Sequence, residues 1–286
     1  MGNCLIEPLQ YTFMQRSLLV AILIGLLCSI VGTYLMVQRL ALLGDAISHS
    51  VMPGLAIAFS LGIPIIIGAL SAAVLSTIII AWITNEYPLK EDTAIGIVFA
   101  SFFALGITFI SIIQKDNKVD LNHFLFGNIL GVSTEDVINT AIIFTIVLII
   151  IISLYKELLF FTFDTIGAEV VGLPVQNLNF SLMILVALTT VASMKAVGVV
   201  LVLALLIIPA ATAYLMTKQL HEIMTLGGGI GIISSISGMY ISYYYNIPSG
   251  PAIVLVATVI FIITLIKYKL QYVQYIKITN NQNQKK

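Results

Sequence analysis

The residues best suited to chemistry in this sequence form a polar cluster between long apolar stretches, from Gly44 to Gly54. It contains Asp45 and His49, which stand four residues apart and therefore share one face of a helix. A carboxylate and an imidazole together suit borderline divalent metals such as manganese, iron(II) or zinc. The spacing therefore predicts a metal-binding role for this pair.

Pro53 offers a third candidate ligand on the same face. Proline has no N–H, so the carbonyl of His49, four residues earlier, loses its helical partner. Two plainer interpretations stay open: Asp45 follows Gly44 at a possible helix start and could be an N-cap, and His49 could simply pack. Two side-chain ligands are few for a metal, but a symmetric homodimer would bring two Asp and two His to its axis.

Composition says what surrounds this cluster. Of the 286 residues, 59% are hydrophobic and 9% charged, whereas about 25% are charged in soluble domains. The apolar runs are about 20 residues long, enough for a helix to cross a bilayer. We therefore predict an all-α, polytopic transmembrane bundle, in which ionisable residues such as Asp45 are costly and indicate function. Positive and negative residues balance at 13 each and give no indication of a nucleic-acid partner.

The hydropathy pattern predicts a single transmembrane domain over residues 1–270 and a polar, disordered tail over 271–286. Eight or nine spans fit, because only Gly62, Ile63 and Pro64 separate the second from the third. The C-terminal lysines place that end in the cytoplasm by the positive-inside rule. The nine predicted spans are 17–38, 46–62, 63–84, 93–113, 137–155, 178–194, 197–216, 223–244 and 251–267.

Three further segments stand out. Residues 164–174 form the core of the longest cytoplasmic connection and predict a short helix, with an acid at its start and Gly and Pro as its stop. Such a helix could merely cap the bundle. Residues 123–131 are too polar for lipid and could re-enter the membrane. Pro209 invites a kink within a span, and small residues around it suit close helix packing.

The ordered motifs resemble those of a known family. Residues 44–54 are similar to the signature Gly-Asp-Ala-Leu-Ser-His-Ala-Val-Leu-Pro-Gly, with Ser50 and Met52 as mild departures. Residues 126–131, 195–202, 209–213 and 249–251 fit the same family in the same order. The family is the permease subunit of ATP-binding-cassette importers for manganese, zinc or iron. The resemblance covers roughly residues 7–270 and is nearest the manganese-type members of cyanobacteria and plastids.

This resemblance implies a type II permease, similar to the vitamin B12 importer, in a bacterial plasma membrane or a plastid membrane. It implies a homodimeric pore, two cytoplasmic ATP-binding subunits and an extracytoplasmic metal-binding protein. The transported metal (Mn, Zn or Fe) is the substrate, ATP is bound by the partner, and the chain is not itself an enzyme. The implied residue roles are metal relay for Asp45 and His49, pore or gating for Pro53, Lys195 and Pro209, and coupling to the ATPase for Asp164, Gly167, Ala168, Glu169, Gly172 and Leu173.

Two other classes of membrane protein fit the sequence less well. An intramembrane aspartyl protease needs Gly-x-Gly-Asp, but Leu42 occupies the first Gly position, and the His-Glu-x-x-His zinc motif is absent. An ATP-independent secondary transporter of metals or small solutes is the stronger alternative. Such transporters often contain internal repeats, and the sequence shows none.

Overall fold

A computed structural model describes residues 7–113 and 129–283, with side chains up to residue 270. Nine helices in these ranges are long and apolar enough to cross a membrane. The nine predicted spans are therefore confirmed, with ends that shift by a few residues. The helices are α1 (Thr12–Val37), α2 (Ala41–Ser50), α3 (Met52–Leu61), α4 (Ile65–Glu86), α5 (Glu91–Ile113), α6 (Thr134–Ser153), α7 (Tyr155–Phe163), α8 (Thr165–Val170), α9 (Val175–Val197), α10 (Val199–Met216), α11 (Leu220–Tyr245) and α12 (Ser249–Asn283).

Helices α1 and α9 form the centre of the bundle. In their most apolar windows 67% and 72% of residues are buried within the protein, whereas the corresponding shares are 17% for α6 and 22% for α5 and α12. A helix that is apolar all round but little buried by protein must find its apolar partner in lipid. The peripheral helices therefore owe their hydrophobicity to the bilayer and the central ones to protein packing.

The second span consists of two short helices, α2 and α3, that meet at Val51. Pro53 is the second residue of α3, a position where the missing N–H costs no helical bond. The break is the consequence of that proline, because the ladder cannot continue from Pro53 to His49. It places Asp45 and His49 on α2, with His49 close to the middle of the 21-residue span.

Glycines permit close backbone contact between several pairs of helices. A Cβ on Gly54 of α3 would collide with the carbonyl of Gly68 on α4, and one on Gly68 would collide with Gly54. Similarly, a Cβ on Gly231 of α11 would collide with the carbonyl of Gly25 on α1. The glycine-rich stretch of α11 therefore serves close helix packing, as small residues do in membranes.

The structure also bears on the predicted C-terminal tail and on the possible re-entrant segment. Helix α12 continues to Asn283, so position 270 is not a boundary of secondary structure, although a disordered tail is predicted from 271. Of the possible re-entrant segment, residues 123–128 lie outside the described ranges, and Ile129–Gly131 form one turn of 3-10 helix.

Candidate functional site

Asp45 and His49 lie on the same face of α2 and contact each other. The Nε2 atom of His49 is 3.5 Å from Oδ1 of Asp45, a loose ion-pair distance. The Asp45 side chain is 44% exposed on the surface of the chain and that of His49 is 24% exposed. The structure therefore confirms that the two groups are adjacent and leaves the carboxylate accessible from outside the chain.

Aromatic rings on α5 hold the imidazole in place. The ring of His49 makes edge contacts with Phe99 and Phe103, at centroid distances of 5.6 and 5.3 Å. Its Nδ1 is buried and has no hydrogen-bond partner within the described ranges. With Nε2 directed toward Asp45, one ring nitrogen remains unsatisfied, and buried polar atoms normally find a partner. The imidazole is thus packed between aromatic rings but incomplete in its bonding.

The N-cap interpretation of Asp45 is wrong. Helix α2 begins at Ala41, with Leu40 at the N-cap position, so Asp45 lies a full turn inside the helix. Backbone N–H groups at that depth already have helical partners and need no cap. The carbonyl of His49 is also not free, because it accepts the N–H of Val51 at the helix break.

Lys195 lies in a second charged site, at the end of α9. Its Nζ is 2.6 Å from Oδ1 of Asp136, near the start of α6. Asp136 also closes a capping box, in which its other oxygen accepts from the backbone N–H and hydroxyl of Ser133. Sequence reasoning missed Asp136. The Ser133–Asp136 spacing of a capping box was a readable signal, but nothing local links it to Lys195.

The predicted coupling segment contains a real short helix, α8, over Thr165–Val170. Asp164 is its N-cap and accepts the N–H of Gly167 at 2.8 Å, while Gly172 has a φ of +85°, which favours glycine. Ala168 is fully buried and Leu173 partly buried, so both hold the segment onto the protein.

Exposed apolar residues on and beside α8 were not predicted from the sequence. Ile166 is 78% and Val170 82% exposed, and the neighbouring Val171 and Phe163 are exposed as well. Glu169 lies on the same exposed surface. Large exposed apolar side chains that cluster at one point mark an interaction surface. We call Phe163, Ile166, Val170 and Val171 the α8 patch.

The three residues predicted for pore or gating have different neighbours. Lys195 pairs with Asp136, Pro53 packs against α5 close to Gly106, and the carbonyl of Pro209 lies close to Gly227 of α11. Both prolines are buried. The structure does not join Pro53, Lys195 and Pro209 in one constellation, and their gating role stays a prediction.

The fold and the charged pairs inside the spans define the class of protein: an integral, multi-pass helical membrane protein with ionisable groups held within its bundle. The ABC 3 transport family matches residues 10–268. The chain therefore belongs to the ABC 3 transport family.

Curated relatives agree with this assignment. The chain is 59% identical over 256 residues to an uncharacterized membrane protein of Cyanophora paradoxa, covering 90% of this chain and 86% of the relative. It is 43% identical over 258 residues to the manganese transport system membrane protein MntC of Listeria monocytogenes, covering 90% and 91%. A probable iron transport system membrane protein of Haemophilus influenzae is 38% identical, covering 95% and 99%.

Solved structures give the same picture of the fold. PsaBC from Streptococcus pneumoniae in complex with Fab is 40% identical, with a TM-score of 0.81 over 92% of this chain and 95% of that chain. An inward-facing putative metal-chelate type ABC transporter is 17% identical with a TM-score of 0.71, covering 89% and 86%, and supports the fold alone. The predicted permease fold is confirmed.

Proposed function

We propose that this chain is the membrane-spanning permease of an ATP-driven importer of a divalent transition metal, with manganese as the preferred ion. The observation that carries the proposal is the Asp45–His49 pair near the middle of the second span. Supporting it, relatives more than 40% identical are named as manganese transport proteins and one at 38% as an iron transport protein.

The exposure of Asp45 argues that this pair borders a path for ions. A carboxylate on the lipid face of a span costs several kcal/mol, so such residues face a bundle interior or a water-filled cavity. In one protomer the Asp45 side chain is 44% exposed. The surface it faces is then the pore, formed with a second copy of the chain. A two-fold axis beside α2 would supply two carboxylates and two imidazoles to one ion.

The chemistry of those four ligands suits the proposed substrate. Carboxylate oxygen and imidazole nitrogen are the borderline donor set taken by manganese, iron(II) and zinc. The unsatisfied Nδ1 of His49 offers a further contact if the ring turns between its two orientations. That turn is a rotation about the Cβ–Cγ bond, and the contacts with Phe99 and Phe103 would slow it.

The energy for transport would come from ATP hydrolysis on a partner subunit. We infer that the α8 patch seats in a groove of a cytoplasmic ATP-binding subunit, with one such subunit on each protomer. An apolar surface at the cytoplasmic end cannot be covered by lipid, so it needs a protein partner. An extracytoplasmic metal-binding protein would deliver the ion to the opposite end. This chain supplies the path and the coupling contact, and ATP hydrolysis belongs to the partner.

Metal uptake measured ion by ion tests the proposal. A strain that lacks the chain is compared with the same strain carrying it, using radiolabelled manganese, iron and zinc in parallel. We expect manganese uptake to depend most strongly on the chain and on a co-expressed ATP-binding subunit. Uptake that persists when ATP hydrolysis is blocked would instead identify a secondary transporter. Uptake of none of the three metals would refute the metal assignment.

A further inference from the structure

The Lys195–Asp136 pair borders a small cavity at one end of the bundle. Its polar lining consists of Asp136, Asn139 and Thr140 on α6 and Lys195 on α9. Its apolar lining consists of Ile66, Ile143, Ala192 and Ala196. The three polar α6 residues stand at positions i, i+3 and i+4, so they share one helix face. In the predicted orientation this end is extracytoplasmic.

The α6 face supplies oxygen donors of the kind a hard or borderline cation takes. Asp136 contributes a carboxylate, Asn139 an amide carbonyl and Thr140 a hydroxyl, all bordering the same cavity. Oxygen ligands suit manganese and are poorer for softer metals. The Lys195 ammonium already lies 2.6 Å from the carboxylate, where a bound cation would lie.

We propose that Asp136, Asn139 and Thr140 form an outer cation site, which the Lys195 ammonium occupies until an incoming divalent ion displaces it. The inference rests on the proposed function, since it places this site on the path of the transported metal. With a single carboxylate the site is weak. Weak, successive sites suit conduction, because an ion must leave each site as readily as it arrives.

Space and charge together make the two occupants mutually exclusive. The cavity beside the pair measures about 10 Å³, so a cation bound to the carboxylate would lie close to the Lys195 ammonium. Two positive charges at one carboxylate repel each other, so a divalent ion binds only when the ammonium moves away. Lys195 can move away, because its side chain is 39% exposed, whereas Asp136 is 19% exposed and is fixed by Ser133. The lysine is the mobile partner of the pair.

Lys195→Arg separates a displaceable occupant from an ordinary structural ion pair. A guanidinium keeps the charge and binds a carboxylate through two parallel hydrogen bonds, so it leaves less readily than an ammonium. We expect the KM for manganese uptake by the assembled transporter to rise roughly fivefold, with the maximal rate nearly unchanged. A structural pair would be preserved by arginine, so an unchanged KM would overturn the proposal.

Direct binding of manganese(II) gives a second test that needs no transport. Two variants of the purified permease–ATPase complex are compared, both carrying Asp45→Asn and His49→Ala to remove the inner ligands. One also carries Lys195→Met, and the other carries Lys195→Met with Asp136→Asn. Electron paramagnetic resonance counts the bound manganese. We expect the variant that retains Asp136 to bind about one more manganese ion per chain than the variant that also carries Asp136→Asn.

Absence of Asp136-dependent binding would overturn the outer site even if the native chain imports manganese. Conversely, such binding in a chain that imports no metal would refute the proposed function and leave the site standing. Lys195→Arg retains the native charge and fold, so the KM measurement remains decisive if Lys195→Met fails to assemble.

Discussion

The two charged pairs of this protein differ in how completely their groups are bonded. At the outer pair, Oδ1 of Asp136 forms an ion pair with Lys195 at 2.6 Å, and its second oxygen accepts hydrogen bonds from Ser133. At the inner pair, Asp45 and His49 are 3.5 Å apart, and the imidazole has a buried nitrogen without a partner among the described residues. Both pairs lie on membrane-spanning helices, where an unpaired charge is expensive.

The difference separates a closed arrangement from an open one. The outer pair contains its own cation and is close to neutral as it stands. The inner pair has no cationic partner among the described residues, and its carboxylate is exposed on the surface of the chain. A group that bonds poorly within its own chain is available to bind something else. The inner pair is therefore the stronger candidate for holding a metal, and the outer pair is already occupied by a lysine.

The largest expected effect comes from neutralising the inner carboxylate. In Asp45→Asn, a neutral amide compensates far less of the ion's dehydration, so radiolabelled manganese uptake should fall about tenfold or more, as loss of a charged ligand implies. Uptake is normalised to the amount of protein in the membrane. If Asp45 merely supports α2 through its contact with His49, the change should cost only a few tenths of a kcal/mol. Near-normal uptake would then return the pair to a structural role.

Removing the inner imidazole should have a similar but smaller consequence. In the proposed dimer, His49→Ala would remove one ligand from each copy of the chain and leave two carboxylates at the axis, so we expect a severalfold loss of manganese uptake with normal assembly. Phe103→Leu is the matched control, because it removes an edge contact to the ring and keeps a large apolar side chain at that position. Equal losses in both variants would show that packing around His49, rather than its nitrogens, is what matters.

A pair of substitutions, one on the α8 patch and one away from it, tests whether this patch contacts the ATP-binding subunit. Val170→Asp introduces a charge on a residue that is 82% exposed, so the membrane fold should survive while uptake and co-purification of the ATP-binding subunit fall severalfold. The control is Gln219→Asp, which adds the same charge at an exposed N-cap on the same side of the bundle. Bulky residues at Gly167 are a poorer test, because a Cβ there would collide with the Asp164 cap. Normal co-purification of the Val170→Asp variant would argue against docking at α8.

The smallest effect should be on stability, at the outer pair. Asp136→Asn leaves the Lys195 ammonium without its counter-ion and should destabilise the protein by about 1 kcal/mol, a low figure because Lys195 is 39% exposed. Adding Lys195→Met removes the stranded charge and should restore much of the loss. Thermal unfolding of the single and the double variant in detergent measures both changes in stability. Strictly additive losses would mean that the two residues do not stabilise each other.

Much of this molecule was predictable from the sequence because its signals are local. A span is recognised from the length and hydropathy of one continuous segment, so all nine were found. Asp45 and His49 were paired because positions i and i+4 of one helix must be neighbours. Pro53 showed that the carbonyl of His49 must lose its usual helical partner, but not that the span would divide into two helices or that Val51 would donate to that carbonyl. The short helix of 164–174 was indicated by its own start and stop residues.

Only the tertiary structure decided which separate segments meet. Asp136 and Lys195 lie on different helices, and no local pattern assigns one to the other. The enclosure of His49 by Phe99 and Phe103 likewise depends on how α5 packs against α2. Inside the bilayer, apolar residues face lipid and protein alike, so the hydropathy that identifies a span does not say which of its faces is buried. That choice is made by close packing of small residues such as Gly54 and Gly68, whose effect exists only once the helices are in contact.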